Sequence, residues 1–136
     1  MGVEEEEEYK EEWSDSLREF LPGDTKRVRR TTTVGNTTTE ERFVSSWNRR
    51  LREYLPGDTK QITRTKNSNG ITETEEYEER WNKTFGYLPG DTKRVTRTIN
   101  QGGQTVREVE TLVWNRTFHC YLPSDNGRYK TVITRR

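Results

Sequence analysis

β-branched, charged and isolated large apolar residues run together in short stretches that stop at Gly and Asn. The stretch Asp91–Ile99 reads as one strand and Gln104–Trp114 as a second, with Asn100-Gln101-Gly102-Gly103 turning the chain between them. Two β-rich runs around a short Gly/Asn segment are the sequence form of a hairpin. The same layout recurs upstream. Residues 26–33 and 37–47 flank Val34-Gly35-Asn36, and residues 60–66 and 71–81 flank Asn67-Ser68-Asn69-Gly70. Strands of the first kind are called A here, and those of the second kind B.

After each B strand comes a connector of about a dozen residues ending in Leu-Pro-Gly-Asp. In the second copy its apolar positions are Trp47, Leu51, Tyr54 and Leu55, a spacing that would suit one face of a short helix. The third copy is one residue shorter and carries Gly86, so an irregular or single-turn segment is expected instead. Pro-Gly-Asp is read as a tight turn, since Gly and Asp both suit turn backbone.

These elements keep a fixed beat. Leu21, Leu55, Leu88 and Leu122 follow one another at 34, 33 and 34 residues; Trp13, Trp47, Trp81 and Trp114 at 34, 34 and 33. Self-similarity at such a period marks a repeat architecture, in which each unit relies on its neighbours to cover its apolar groups. The expected fold is all-β: one domain over residues 1–136, in four hairpin units of about 34 residues. The units run over roughly 1–23, 24–57, 58–90 and 91–124, with 125–136 completing the first. Abundant Thr and the absence of Ala agree with strands rather than helices.

Charge sorts the strands. The A strands are basic (Lys26, Arg27, Arg29 and Arg30 in the first), while the B strands are acidic or mixed (Glu73, Glu75, Glu76, Glu78 and Glu79 in the third). Opposite charges across an antiparallel pair contribute about 0.2–1 kcal/mol each and like charges cost as much, so A is expected to pair with B. The chain opens on an acidic B strand, residues 4–13, and closes on a basic A strand, residues 129–136. Their pairing would close the sheet into a ring or barrel and remove its edges, inside one molecule or between copies.

Composition narrows the functional classes. With 24 basic and 23 acidic residues the net charge is +1, so no global field favours nucleic acid or an anionic membrane. No apolar run approaches the length of a membrane span. The acidic start after Met1-Gly2-Val3 is unlike a signal peptide, and the single Cys120 excludes an internal disulfide framework, so a cytoplasmic setting is expected. His119 and Cys120 are the only His and Cys, and adjacent strand residues face opposite ways. No catalytic residue, metal site or cofactor is expected.

One recurrent triplet carries candidate chemistry: Trp47-Asn48-Arg49, Trp81-Asn82-Lys83 and Trp114-Asn115-Arg116. An exposed Trp beside an amide and a cation could stack on a sugar ring and hydrogen-bond its rim. The competing expectation is that these three Trp residues are buried core. The first copy departs, with Trp13-Ser14-Asp15. The function expected is non-enzymatic: a multivalent interaction scaffold or a self-assembling structural module, with a protein partner or self-association foremost. A lectin-like glycan module is the alternative, nucleic-acid binding through the Arg-rich strands a weaker one, and no membrane partner is expected.

Overall fold

The computed structural model describes residues 2–135. It consists of eight antiparallel strands in one sheet: β1 (Gly2–Ser14), β2 (Glu19–Val34), β3 (Thr37–Asn48), β4 (Glu53–Ser68), β5 (Ile71–Asn82), β6 (Gly86–Gln101), β7 (Gln104–Asn115) and β8 (Cys120–Thr134). Strand order follows chain order from β1 to β8, so every connection is a hairpin. A strands are the even-numbered ones and B strands the odd-numbered ones. The fold class is therefore all-β, a tandem array of hairpins.

The sheet is open. Among the described residues β1 pairs only with β2, Glu4 facing Thr31 and Trp13 facing Phe20, and β8 pairs only with β7. The expected pairing of residues 4–13 with 129–136 is not formed; Arg136, like Met1, lies outside the described residues. Compatible charge is not enough to close a sheet, which also needs a set strand tilt and stagger; within the open sheet the charges pair between neighbours. The cations of β2 already engage the carboxylates of β1: Arg29 meets Glu6 at 2.6 Å and Arg30 meets Glu5 at 3.0 Å. Each A strand can serve B strands on both sides. Arg30 also reaches Glu41 of β3 at 3.7 Å, and Glu75 of β5 lies between Arg64 at 3.8 Å and Lys93 at 3.3 Å.

The connectors also differ from expectation. Tyr-Leu-Pro-Gly lies inside β4 and β6, and its variants Phe20-Leu21-Pro22-Gly23 and Tyr121-Leu122-Pro123-Ser124 inside β2 and β8; the chain turns earlier, over residues 15–18, 49–52, 83–85 and 116–119. Pro-Gly-Asp forms a bulge within the strand rather than a turn between strands. Phe43 faces Lys60 and Ser45 faces Pro56, so Val44 alone opposes Gly57-Asp58-Thr59. A bulge adds residues to one strand and bends it. Glycine is required there because the partner backbone comes close. A Cβ on Gly23, Gly57 or Gly90 would collide with the carbonyl of Lys10, Val44 or Glu78. The last copy has Ser124 instead of Gly, and its bulge takes one residue more, since Glu110 faces Arg128 while Leu112 faces Pro123.

A single sheet has no second layer to cover it. Among the described residues only Val28 and Ile62 are buried hydrophobics. Both lie on the face that carries Lys26, Phe43, Lys60 and Tyr77, with Phe43 directly opposite Val28 and Tyr77 directly opposite Ile62. The opposite face carries a rank of threonines, Thr33, Thr38, Thr65, Thr74 and Thr96, paired from strand to strand. The accessible surface is 10744 Å², against about 7,400 Å² for a compact chain of this mass.

Candidate interaction surface

The two ends of a hairpin meander gather different connections. Two-residue turns close one end: Gly35-Asn36, Asn69-Gly70 and Gly102-Gly103. In the last two both central residues have positive φ (45° and 81°, 52° and 74°), which matches the twist of the flanking strands. The other end carries the four wider loops, and every residue of the Trp-Asn-Arg/Lys triplets lies there.

The three Trp residues expected to be core are only partly covered. Trp47 and Trp114 are half-buried and Trp81 is 40 % exposed, because one layer covers only one side of the ring. Each packs edge-on against the aromatic residue opposite in the next strand. Trp47 meets Tyr54, Trp81 meets Tyr87 and Trp114 meets Tyr121, with centroids 5.0–5.1 Å apart and planes at 67–70°. Trp13 and Phe20 repeat the pair at 5.2 Å. Edge-to-face geometry of this kind contributes about 0.5–1.5 kcal/mol beyond area burial.

The Asn of each triplet is occupied by the loop itself. Asn48 Oδ1 accepts the Leu51 N–H at 2.9 Å. Asn82 Oδ1 accepts those of Thr84 and Phe85 at 2.9 and 3.1 Å, and Asn115 Oδ1 those of Thr117 and Phe118 at 2.9 Å. An Asn carbonyl that takes up backbone N–H groups two and three residues on organises a turn. The first copy does the same more weakly, with Ser14 Oγ accepting from Leu17 at 3.4 Å. There Asp15, in the cation's place, takes the Trp13 indole N–H at 2.9 Å. Arg49, Lys83 and Arg116 are exposed in the loops. The structure thus brings Trp, Asn and cation together at three of the four loops, but leaves only the cation and one side of the ring outward.

Behind the loops lies a latch that sequence reading missed. The hydroxyls of Tyr54, Tyr87 and Tyr121 donate to the carbonyls of Gly23, Gly57 and Gly90 at 3.2, 3.1 and 2.9 Å, each two strands back. Lys26, Lys60 and Lys93 place their ammonium groups over those Tyr rings at 4.8, 4.4 and 5.1 Å. Lys60 and Lys93 also lie over Phe43 and Tyr77 at 5.5 and 5.0 Å. Each Lys pairs with a carboxylate too: Glu7, Glu41 or Glu75, at 3.3–3.5 Å. The signal was present in the repeat, for Tyr9, Phe43, Tyr77 and Glu110 all precede the Trp by four residues. Burial raises the phenols of Tyr87 and Tyr121 above the ordinary Tyr range, with Glu79 among the added causes in both. The protonated form is the one the latch needs.

The third position of the loops carries the feature least explained by folding. Leu17, Leu51, Phe85 and Phe118 occupy it in the four copies, and they are 61, 57, 76 and 70 % exposed. His119 takes a left-handed backbone position (φ 53°) at the end of its loop, as Arg18 (52°) and Arg52 (55°) do in theirs. Cys120 is free and exposed. Among the described residues no group of three or more His, Cys, Asp or Glu is placed to hold a metal ion. No helix is long and apolar enough to cross a membrane.

By class this is a single-layer antiparallel sheet of tandem hairpins presenting a row of similar loops from one end. No protein-family model, no curated protein and no solved structure matches the chain.

Proposed function

We propose that the protein is a non-enzymatic repeat module that presents one small surface several times over, as a multivalent scaffold for a partner or for further copies of itself. The observation that carries this reading is the loop row: four loops at one end of one sheet, each offering an exposed Leu or Phe beside a partly open Trp. Equivalent weak contacts on one rigid body combine into strong attachment when they can engage together. The large uncovered area of the sheet supports a life spent against a partner. A cytoplasmic setting belongs to the proposal, supported by a single free cysteine.

A series of variants tests it. Replacing Leu17, Leu51, Phe85 and Phe118 by Ser, singly and together, should move the thermal midpoint little, at about 0.5 kcal/mol or less per site. Large destabilisation would show that these residues are core in solution, and the presenting reading would fall.

A second reading, self-assembly through the edges, has its own observation. The β1 edge is acidic and the β8 edge basic. Light scattering across a concentration series distinguishes it: molar mass should rise with concentration and fall back in salt as the edge charges are screened. The glycan and nucleic-acid readings gain no comparable support, since Asn48, Asn82 and Asn115 are engaged within their own loops.

A further inference from the structure

The four loops are alike in three respects beyond shape. Their tips are apolar and open: Leu17, Leu51, Phe85 and Phe118. Their flanks are cationic: Arg18, Arg49, Arg50, Arg52, Lys83 and Arg116, against the one carboxylate Asp15. A Trp stands just behind each, at positions 13, 47, 81 and 114, with Trp13 54 % and Trp81 40 % exposed. The net charge of +1 concealed this, because outside the loops 22 carboxylates outnumber 18 cations and offset the loop charge in the sum. The nearest carboxylates outside the loops, Glu19 and Glu53, stand at the first position of β2 and β4.

An open apolar tip, flanking cations and a Trp at the base of the loop are the three kinds of group that a bilayer surface meets with acyl chains, phosphates and the headgroup belt. Trp favours that belt, and apolar side chains backed by Lys and Arg partition into anionic interfaces. Loops two strands apart are about 10 Å from one another, so the row extends about 30 Å along the end of the sheet. The tips exchange Leu for Phe between copies. A shaped protein pocket would distinguish those side chains, whereas a fluid surface takes either at any depth. Attraction to anionic headgroups is local, reaching about a Debye length, so charge at the contact matters and the sum over the chain does not.

We propose that the hairpin-loop end, resting on the multivalent reading above, is a docking surface for an anionic lipid membrane, with the Leu and Phe tips entering the interface and the flanking cations meeting the headgroups. The sheet stands on the membrane and does not span it.

The test uses the full chain with vesicles of phosphatidylcholine alone and of phosphatidylcholine with phosphatidylserine, read by co-sedimentation and Trp emission. Binding with a blue shift is expected on the anionic vesicles only. Replacing Arg49, Arg50 and Arg52 by Ala should weaken it about a hundredfold, taking about fivefold per cation near an anionic surface. The quadruple Leu17→Ser, Leu51→Ser, Phe85→Ser, Phe118→Ser variant should lose it, since each tip contributes about tenfold or more. The circular-dichroism melt shows whether this variant is folded, and the Arg variant carries the test if it is not. Equal binding to both vesicle types, no binding to either, or binding that survives both variants overturns the proposal. No vesicle binding, with concentration-dependent oligomers that disappear in the quadruple variant, overturns the lipid surface but leaves the multivalent reading intact with a second copy as partner. Neither vesicle binding nor loop-dependent association overturns both.

Discussion

The two ends of this sheet solve the same connection problem in different ways. At the turn end, two residues suffice, Gly and Asn supply the backbone, and side chains stay polar. Thr72 donates to Asn67 and Thr105 to Asn100, both at 2.9 Å, beside the turns they follow. At the loop end, three or four residues are used, Arg18, Arg52 and His119 are held at positive φ where the turn end uses Gly and Asn, and large apolar side chains are exposed to solvent. Left-handed backbone at Arg18, Arg52 and His119 costs about 1–3 kcal/mol each. Economy governs the first end, presentation the second. Stability behind the presenting end comes from the bulge, the Tyr latch and the Asn that organises the loop.

That contrast can be broken most severely at the bulge. Gly57→Ala drives a Cβ into the Val44 carbonyl and should cost about 3 kcal/mol or more, near the upper end for single substitutions. Gly70→Ala at the turn end meets only the Asn100 carbonyl at 3.3 Å, and should cost about 1–2 kcal/mol from its positive φ. Chemical denaturation of the two variants side by side gives the ranking, and equal losses would mean that the bulge is not the stiffer end. Next in size is the latch. Tyr87→Phe keeps the ring under Lys60 but removes the donor to Gly57, and should cost about 1 kcal/mol in the same assay. Asn82→Ala should cost somewhat less, about 0.5–1 kcal/mol, because the freed N–H groups of Thr84 and Phe85 are exposed to water.

The smallest effect is a dependence on pH. The folded-state pKa values of Tyr87 and Tyr121 are raised above the ordinary 10.0. A raised value means that the native state holds its proton where the unfolded chain releases it, so this stability is complete below about pH 10 and is lost as pH rises through the raised value. Thermal midpoints should therefore fall more steeply above pH 10 in the parent than in a Tyr87→Phe, Tyr121→Phe double variant. Parallel slopes would remove the latch from the alkaline response.

Much of this architecture was legible beforehand, and the misreadings have physical causes. Hairpins were readable because Gly and Asn interrupt β-rich runs at each two-residue turn. Alternating strand charge correctly paired A with B. It could not fix the curvature of the sheet, because closure depends on strand tilt and stagger rather than on which strands are compatible. The connector was misplaced because Pro-Gly-Asp has turn chemistry, whereas the chain turns before it and Trp47 and Tyr54 face each other across that hairpin. The Trp residues were expected to be core because the chain offers few other large apolar groups, but one layer covers only one side of each ring. The Asn of the triplet looked available for a ligand, and only coordinates reveal that its carbonyl is spent on the loop.

The Tyr latch has a consequence for how the molecule comes apart. Each bond ties an A strand to the one before it, so stability is transmitted between neighbours in a line, as in a one-dimensional cooperative chain. Strands β4 and β6 each donate one such bond and accept another, β2 and β8 take part in one each, and β1 in none among the described residues. Amide exchange should accordingly be fastest in β1 and slow by stages toward the central strands, so that opening proceeds hairpin by hairpin from that edge and not in one step.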